Sequence, residues 1–121
     1  MMKIKLSTRL VFLIGKRVYK FPLSKRGYLQ CINEKNIWDK YKNTNLIGTM
    51  YWMKFGVVCM KRYKSINEIE LDEIIEIKST IPELNIERCD LFNYKNWGIE
   101  NNKYYLIDYG INEEISKLYK L

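Results

Sequence analysis

The sequence predicts an α+β fold: an antiparallel sheet of about five strands with one packed helix, followed by a short helix, a loop and a β-hairpin. Three observations carry this. Two pairs of strand-like runs turn at glycine, one at Gly15 and one at Phe55-Gly56. The residues between those pairs switch to helical spacing, with Tyr28, Cys31, Ile32, Trp38 and Tyr41 recurring every three to four positions. Towards the C-terminus, Glu100-Asn101-Asn102-Lys103 supplies the turn of a further hairpin.

Residues 9–14 form a continuous β-forming run, and residues 17–21 alternate plainly, so both are read as strands, with residues 4–6 as a candidate fifth strand. Pro22 ends the second run because it cannot donate to a ladder. After Gly27 a helix is expected, then strands over 46–54 and 57–63. Val57-Val58-Cys59-Met60 is apolar throughout, as suits a central strand. Asn67 followed by Glu70 forms a loose capping box for a helix running through Lys78, with Ile69, Ile74, Ile77 and Ile81 packing and Leu71 and Ile75 widening that face. Pro82 breaks it. A last short helix is expected from Asn112 to Tyr119, with Leu118, Tyr119 and Leu121 available to a partner or second copy.

With 121 residues, 47 % of them hydrophobic, the chain is expected to form one domain over 1–121, divided into a sheet-plus-helix part (1–63) and a smaller second part (64–121). It holds no apolar run long enough to span a membrane, and its N-terminus lacks a signal-like apolar core, so no membrane association and a cytoplasmic location are expected. The absence of histidine excludes Ser-His-Asp triads, Cys-His proteases and most zinc sites. Cys31, Cys59 and Cys89 are widely spaced among apolar neighbours and read as reduced packing residues. Only carboxylates, amides, lysine and arginine remain for chemistry. The net charge of +7 points to an anionic partner, nucleic acid or nucleotide among them. The excess is in lysine, accompanied by abundant Asn, Ile and Tyr, so codon bias explains it equally well.

Two carboxylates stand out. Asp108 ends an apolar strand just before Tyr109-Gly110, a position suited to a divalent-cation ligand, and the hairpin returns Asn96 toward it. Glu34 lies inside the apolar stripe of the first helix, where an unpaired charge would be costly, so the sequence should supply a cation; Lys20 on the preceding strand is the candidate. Asp108 could also simply begin a turn, and Asp90 could accept backbone hydrogen bonds in its loop.

Asp90, Asn96 and Leu106-Ile107-Asp108-Tyr109-Gly110, with Val18-Tyr19-Lys20 and Glu34 upstream, resemble motifs of the protein-kinase-like superfamily, especially the small divergent kinase-like proteins of bacteriophages. The resemblance implies a sheet-plus-helix part like the kinase N-lobe and a minimal C-lobe. It implies that Lys20 holds nucleotide phosphates, Glu34 orients Lys20, Asn96 and Asp108 bind Mg2+, Asp90 is the catalytic base, and Lys61-Arg62-Tyr63 forms the hinge beside adenine, with ATP and Mg2+ as cofactors.

The chain also departs from that pattern. Gly15 stands alone where the family has a glycine-rich loop, Asn93 and Asn96 follow Asp90 by three and six residues where the family's amide follows by five, and eleven residues follow Gly110. These departures favour a kinase-like scaffold or inhibitor that binds a host protein, a defence factor by analogy, without catalysis; a homodimer is a further expectation. The alternatives are a minimal ATP/Mg-dependent phosphotransferase and a basic nucleic-acid-binding domain whose tyrosines stack on bases.

Overall fold

The structure, a computed structural model, describes residues 3–6 (backbone), 9–82, 84, 91 and 93–109. It is α+β, as expected, with two sheets and two α-helices among the described residues. Strands β1 (Lys3–Leu6), β2 (Arg9–Ile14), β3 (Arg17–Pro22), β4 (Met50–Lys54) and β5 (Val57–Lys61) form an antiparallel sheet in the order β1-β2-β3-β5-β4. Helix α1 (Lys25–Tyr41) connects β3 to the far edge of this sheet. Strands β6 (Lys64–Ser65), β7 (Trp97–Glu100) and β8 (Lys103–Leu106) form the second sheet, and helix α2 (Leu71–Thr80) precedes β7.

Local chemistry sets most of the boundaries. Ser24 caps α1 by accepting from the Gly27 amide at 3.2 Å, so the helix begins before Gly27 rather than after it. It ends in a short 3-10 turn, and Asn45 then takes a left-handed φ of 62°. Asn101 and Asn102 have φ of 54° and 63°, the twist a two-residue hairpin requires, so the expected turn forms where two asparagines tolerate it. Pro22 closes β3.

Several expected boundaries move. Residues 46–49 do not extend β4; they lie beside β8 through a parallel bridge between Ile47 and Leu106. The capping box at Asn67 is not used, because α2 starts four residues later with Glu70 at its cap and no side-chain cap bond. Leu71 and Ile75 are exposed on α2, which needs only Ile74 and Ile77 for its contact. Tyr28, counted on the apolar stripe of α1, is also exposed. The C-terminal hairpin is widened by β6 into three strands. The final helix, the apolar residues near the C-terminus, Cys89 and Asp90 lie outside the described residues.

The core is built on one face of the large sheet. Val58 and Met60 of β5 are buried with Cys31 and Ile37 of α1 and Ile74 and Ile77 of α2, and Val18 packs against them. The same cluster takes in Trp97, Leu106 and Tyr109, so the second sheet closes onto this core. Cys31 and Cys59 are free and buried, as read from the sequence. Burial pushes the Cys31 thiol up, with the Arg9 charge opposing that shift. No helix among the described residues is long and apolar enough to cross a membrane.

Two outcomes check this packing. A Cβ placed on Gly98 would sit 2.4 Å from the Tyr63 Cβ and 3.3 Å from the Lys64 carbonyl, so the second sheet must shift to accept any side chain. Gly98→Ala is expected to cost about 1–3 kcal/mol in urea unfolding, and an unchanged midpoint would show that β6 and β7 do not approach this closely. Because both thiols are buried, Cys31 and Cys59 are expected to resist a thiol reagent at pH 8 until denaturant is added; labelling of either in the native protein, mapped by mass spectrometry, would contradict the placement.

Candidate functional site

Strand parity and helix spacing aim four charged side chains at one point. Along β2, residues 9, 11 and 13 share a face, and the register sets Val11 opposite Lys20 and Leu13 opposite Val18. Lys20 therefore points inward with Arg9, toward α1. On α1 the buried positions Gly27, Gln30, Cys31, Glu34 and Ile37 recur at three to four residues, which turns Glu34 toward the sheet. Asp108 arrives two residues beyond β8. Its segment is fixed at Leu106, whose carbonyl accepts from the Gly48 amide at 2.7 Å and whose amide donates to the Leu46 carbonyl at 3.0 Å.

The pair inferred from sequence forms. Lys20 Nζ lies 2.8 Å from Glu34 Oε2, with the Lys20 side chain 7 % exposed and that of Glu34 fully buried. Lys20 also donates to the Ile107 carbonyl at 3.1 Å, one residue from Asp108. Asn96 meets the same segment through its backbone carbonyl, which accepts from the Ile107 and Asp108 amides at 2.8 and 3.3 Å. Asn93 caps the 3-10 turn before β7 by accepting from the Lys95 amide, so its oxygen has a local structural task. Lys20, Glu34, Asn96 and Asp108 thus come together.

Two members of the site were not recognised in the sequence. Arg9 Nη1 lies 2.5 Å from Glu34 Oε1, and Nη2 lies 2.9 Å from Asp108 Oδ1, so one guanidinium joins both carboxylates. Burial works against the Arg9 charge, but the fields of Glu34 and Asp108 and the hydrogen bond to Glu34 outweigh it and raise the pKa above the ordinary arginine value. Tyr109 donates its amide to Glu34 Oε2 at 3.3 Å and its hydroxyl to the Gly48 carbonyl at 2.9 Å. Burial, then the charge of Glu34, pushes the Tyr109 phenol well above its usual range. Arg9 could have been found from its parity, because it opens a strand on the same side as Val11 and Leu13. Nothing local marks Tyr109.

Beside the network opens a cavity of about 320 Å³. Arg9, Lys20, Asn96 and Asp108 line it together with Val11, Val18 and Met60, and Lys61, Arg62 and Lys95 add positive charge. Lys61 is paired with Glu100 at 2.6 Å. No protein-family model, curated protein or solved structure matches this chain.

The chemistry of the site does not suit the expected magnesium ion. A cation on Asp108 would sit close to a guanidinium nitrogen that already lies 2.9 Å from Oδ1, and the positive charge of Arg9 would repel it. Two cations, Arg9 and Lys20, already face the two carboxylates Glu34 and Asp108. Among the described residues no three Cys, Asp or Glu side chains converge on a metal-sized site.

Because Glu34 is fully buried, removing either cation leaves it under-compensated. Arg9→Met and Lys20→Met are each expected to lower unfolding stability by about 3–5 kcal/mol. Equal loss in the two variants would assign Glu34 comparable dependence on both, while a loss below 1 kcal/mol for Arg9→Met would contradict the bridging geometry.

Proposed function

We propose that the chain is a kinase-like binding protein that keeps the lysine–glutamate–aspartate constellation as a rigid scaffold and acts by engaging a protein partner, without transferring phosphate. The observation that carries this reading is the Arg9 guanidinium set between Glu34 and Asp108. Phosphoryl transfer in this superfamily asks the aspartate to hold magnesium against nucleotide oxygens. Here that carboxylate is engaged by a buried arginine, and the network serves to lock α1, β2, β3 and the segment after β8 to one another. The resemblance to phage-encoded kinase-like proteins suggests a host protein, such as a defence factor, as the partner.

The alternative, a minimal ATP/Mg-dependent phosphotransferase, is favoured by one feature. The cavity beside Lys20 combines apolar walls from Val11, Val18 and Met60 with several cations, which suits a nucleotide. In that case Lys20 would hold phosphates and Asn96 and Asp108 the metal. The candidate base Asp90 lies outside the described residues.

Calorimetric titration with ATP separates the two. The scaffold reading predicts no magnesium-dependent heat at millimolar nucleotide and no transfer of the γ-phosphate to the protein or to a co-purified partner. Magnesium-dependent binding lost in Asp108→Ala, together with turnover, would establish the enzyme instead. A partner retained in stoichiometric amount by both the unaltered chain and Asp108→Asn is the expected result of affinity purification from host cells.

A further inference from the structure

The large sheet has a second face, and its chemistry differs from that of the core side. Leu10, Phe12 and Ile14 of β2, Arg17, Tyr19 and Phe21 of β3, and Cys59 of β5 lie opposite in parity to the inward residues. On β4 the register places Trp52 beside Cys59 and Lys54 beside Val57, and the irregularity between Met50 and Trp52 lets Tyr51 join them. The buried apolar side chains of α1 and α2, Cys31, Ile37, Ile74 and Ile77, belong to the cluster with Val58 and Met60 on the other side, so neither described helix packs its apolar side chains on this face.

We propose that this outer face binds single-stranded nucleic acid, with the aromatic rings stacking on bases and the cations among them meeting phosphates. The inference is independent of the scaffold reading of the ion-pair network.

Three observations carry it. The rings are already arranged as a platform: Phe12 and Phe21 stand edge to face at 5.6 Å, and Tyr19 lies 6.2 Å from Trp52. Cations are set on the rings, with Arg17 4.9 Å above Tyr51 and Lys54 5.9 Å from Trp52. Tyr51 is 46 % exposed, and Phe55, at the tip of the adjoining turn, is 99 % exposed.

Packing explains part of this, since the rings shield Cys59, but it does not explain Phe55. That residue holds a left-handed φ of 53°, which an aromatic side chain rarely adopts, and gains no burial from it.

Charge selects the occupant. Residues 1–67 contain 15 of the 21 lysines and arginines but only two of the 14 acidic residues, Glu34 and Asp39, both on α1. All five strands of the sheet are free of Asp and Glu. The basic residues are scattered along the chain, as read from sequence, but the acidic ones are segregated from the sheet. A second copy of the same face would set Arg17 and Lys54 against their own kind. An acidic protein surface would satisfy the cations, yet it offers few planar groups for exposed rings, whereas a single strand supplies both phosphates and bases.

The test uses the full chain and a fluorescein-labelled oligothymidylate of about a dozen nucleotides, followed by anisotropy and tryptophan fluorescence. Binding at low salt with quenching of tryptophan is expected, and affinity should fall as salt rises. Tyr51→Ala and Phe55→Ala, both at exposed positions, should each weaken binding about fivefold or more, and Arg17→Ser with Lys54→Ser should also flatten the salt dependence. Circular dichroism confirms that the variants fold. No binding at low salt would overturn the proposal. So would binding that the Tyr51 and Phe55 variants leave intact, or that Arg62→Ser and Lys95→Ser in the cavity abolish instead. Equal binding of polyglutamate would reassign the face to an acidic protein partner.

Discussion

The structure depends on one buried carboxylate. Glu34 is fully enclosed between α1 and the sheet, and it is tolerable there because Arg9, Lys20 and the Tyr109 amide all donate to it. These donors come from three separated parts of the chain. An ionised group in a low-dielectric interior is costly unless its lone pairs are met, so it acts as a constraint on the folds the chain can adopt. The start of β2, the middle of β3, the centre of α1 and the exit of β8 must be in place together. Asp108 joins the same arrangement through Arg9, which is why the site and the fold share their key residues.

Much of this could be read from the sequence, and the limits have physical causes. The hairpins at Gly15 and at Asn101-Asn102 were legible because their turns require particular residues. Glu34 was legible because a charge on an apolar stripe demands a partner, and Lys20 on the preceding strand was the candidate. Arg9 escaped because a strand-opening arginine usually reaches solvent, whereas here its parity with Val11 and Leu13 turns it inward to Glu34 and Asp108. Residues 46–49 carry enough apolar character to look like strand, but Leu46 and Gly48 bond through their backbones to Leu106 of β8, while the Thr49 carbonyl accepts from Lys61 of β5. The capping box at Asn67 failed because α2 is positioned by its burial against the core, with Ile74 and Ile77 fixing its phase.

The two faces of the large sheet divide the chemistry. On the inner face, opposite charges are paired and a cavity remains beside them, with Asp108 held by arginine where the resemblance implied a metal. On the outer face, aromatic rings and unopposed cations meet solvent. Both described helices bury their apolar side chains on the inner face. The segregation of acidic residues away from the sheet gives the outer face a definite sign.

Arg9 engages Asp108 at the position where the resemblance implies a divalent cation. A double-mutant cycle between Arg9→Met and Asp108→Asn, measured by chemical unfolding with and without millimolar magnesium, tests it most directly. The predicted coupling is about 1 kcal/mol, reduced from the value for a buried pair because Asp108 is partly exposed, and magnesium should leave it unchanged. Coupling that is absent, or that vanishes when magnesium is added, would contradict the account and return Asp108 to a metal-binding role.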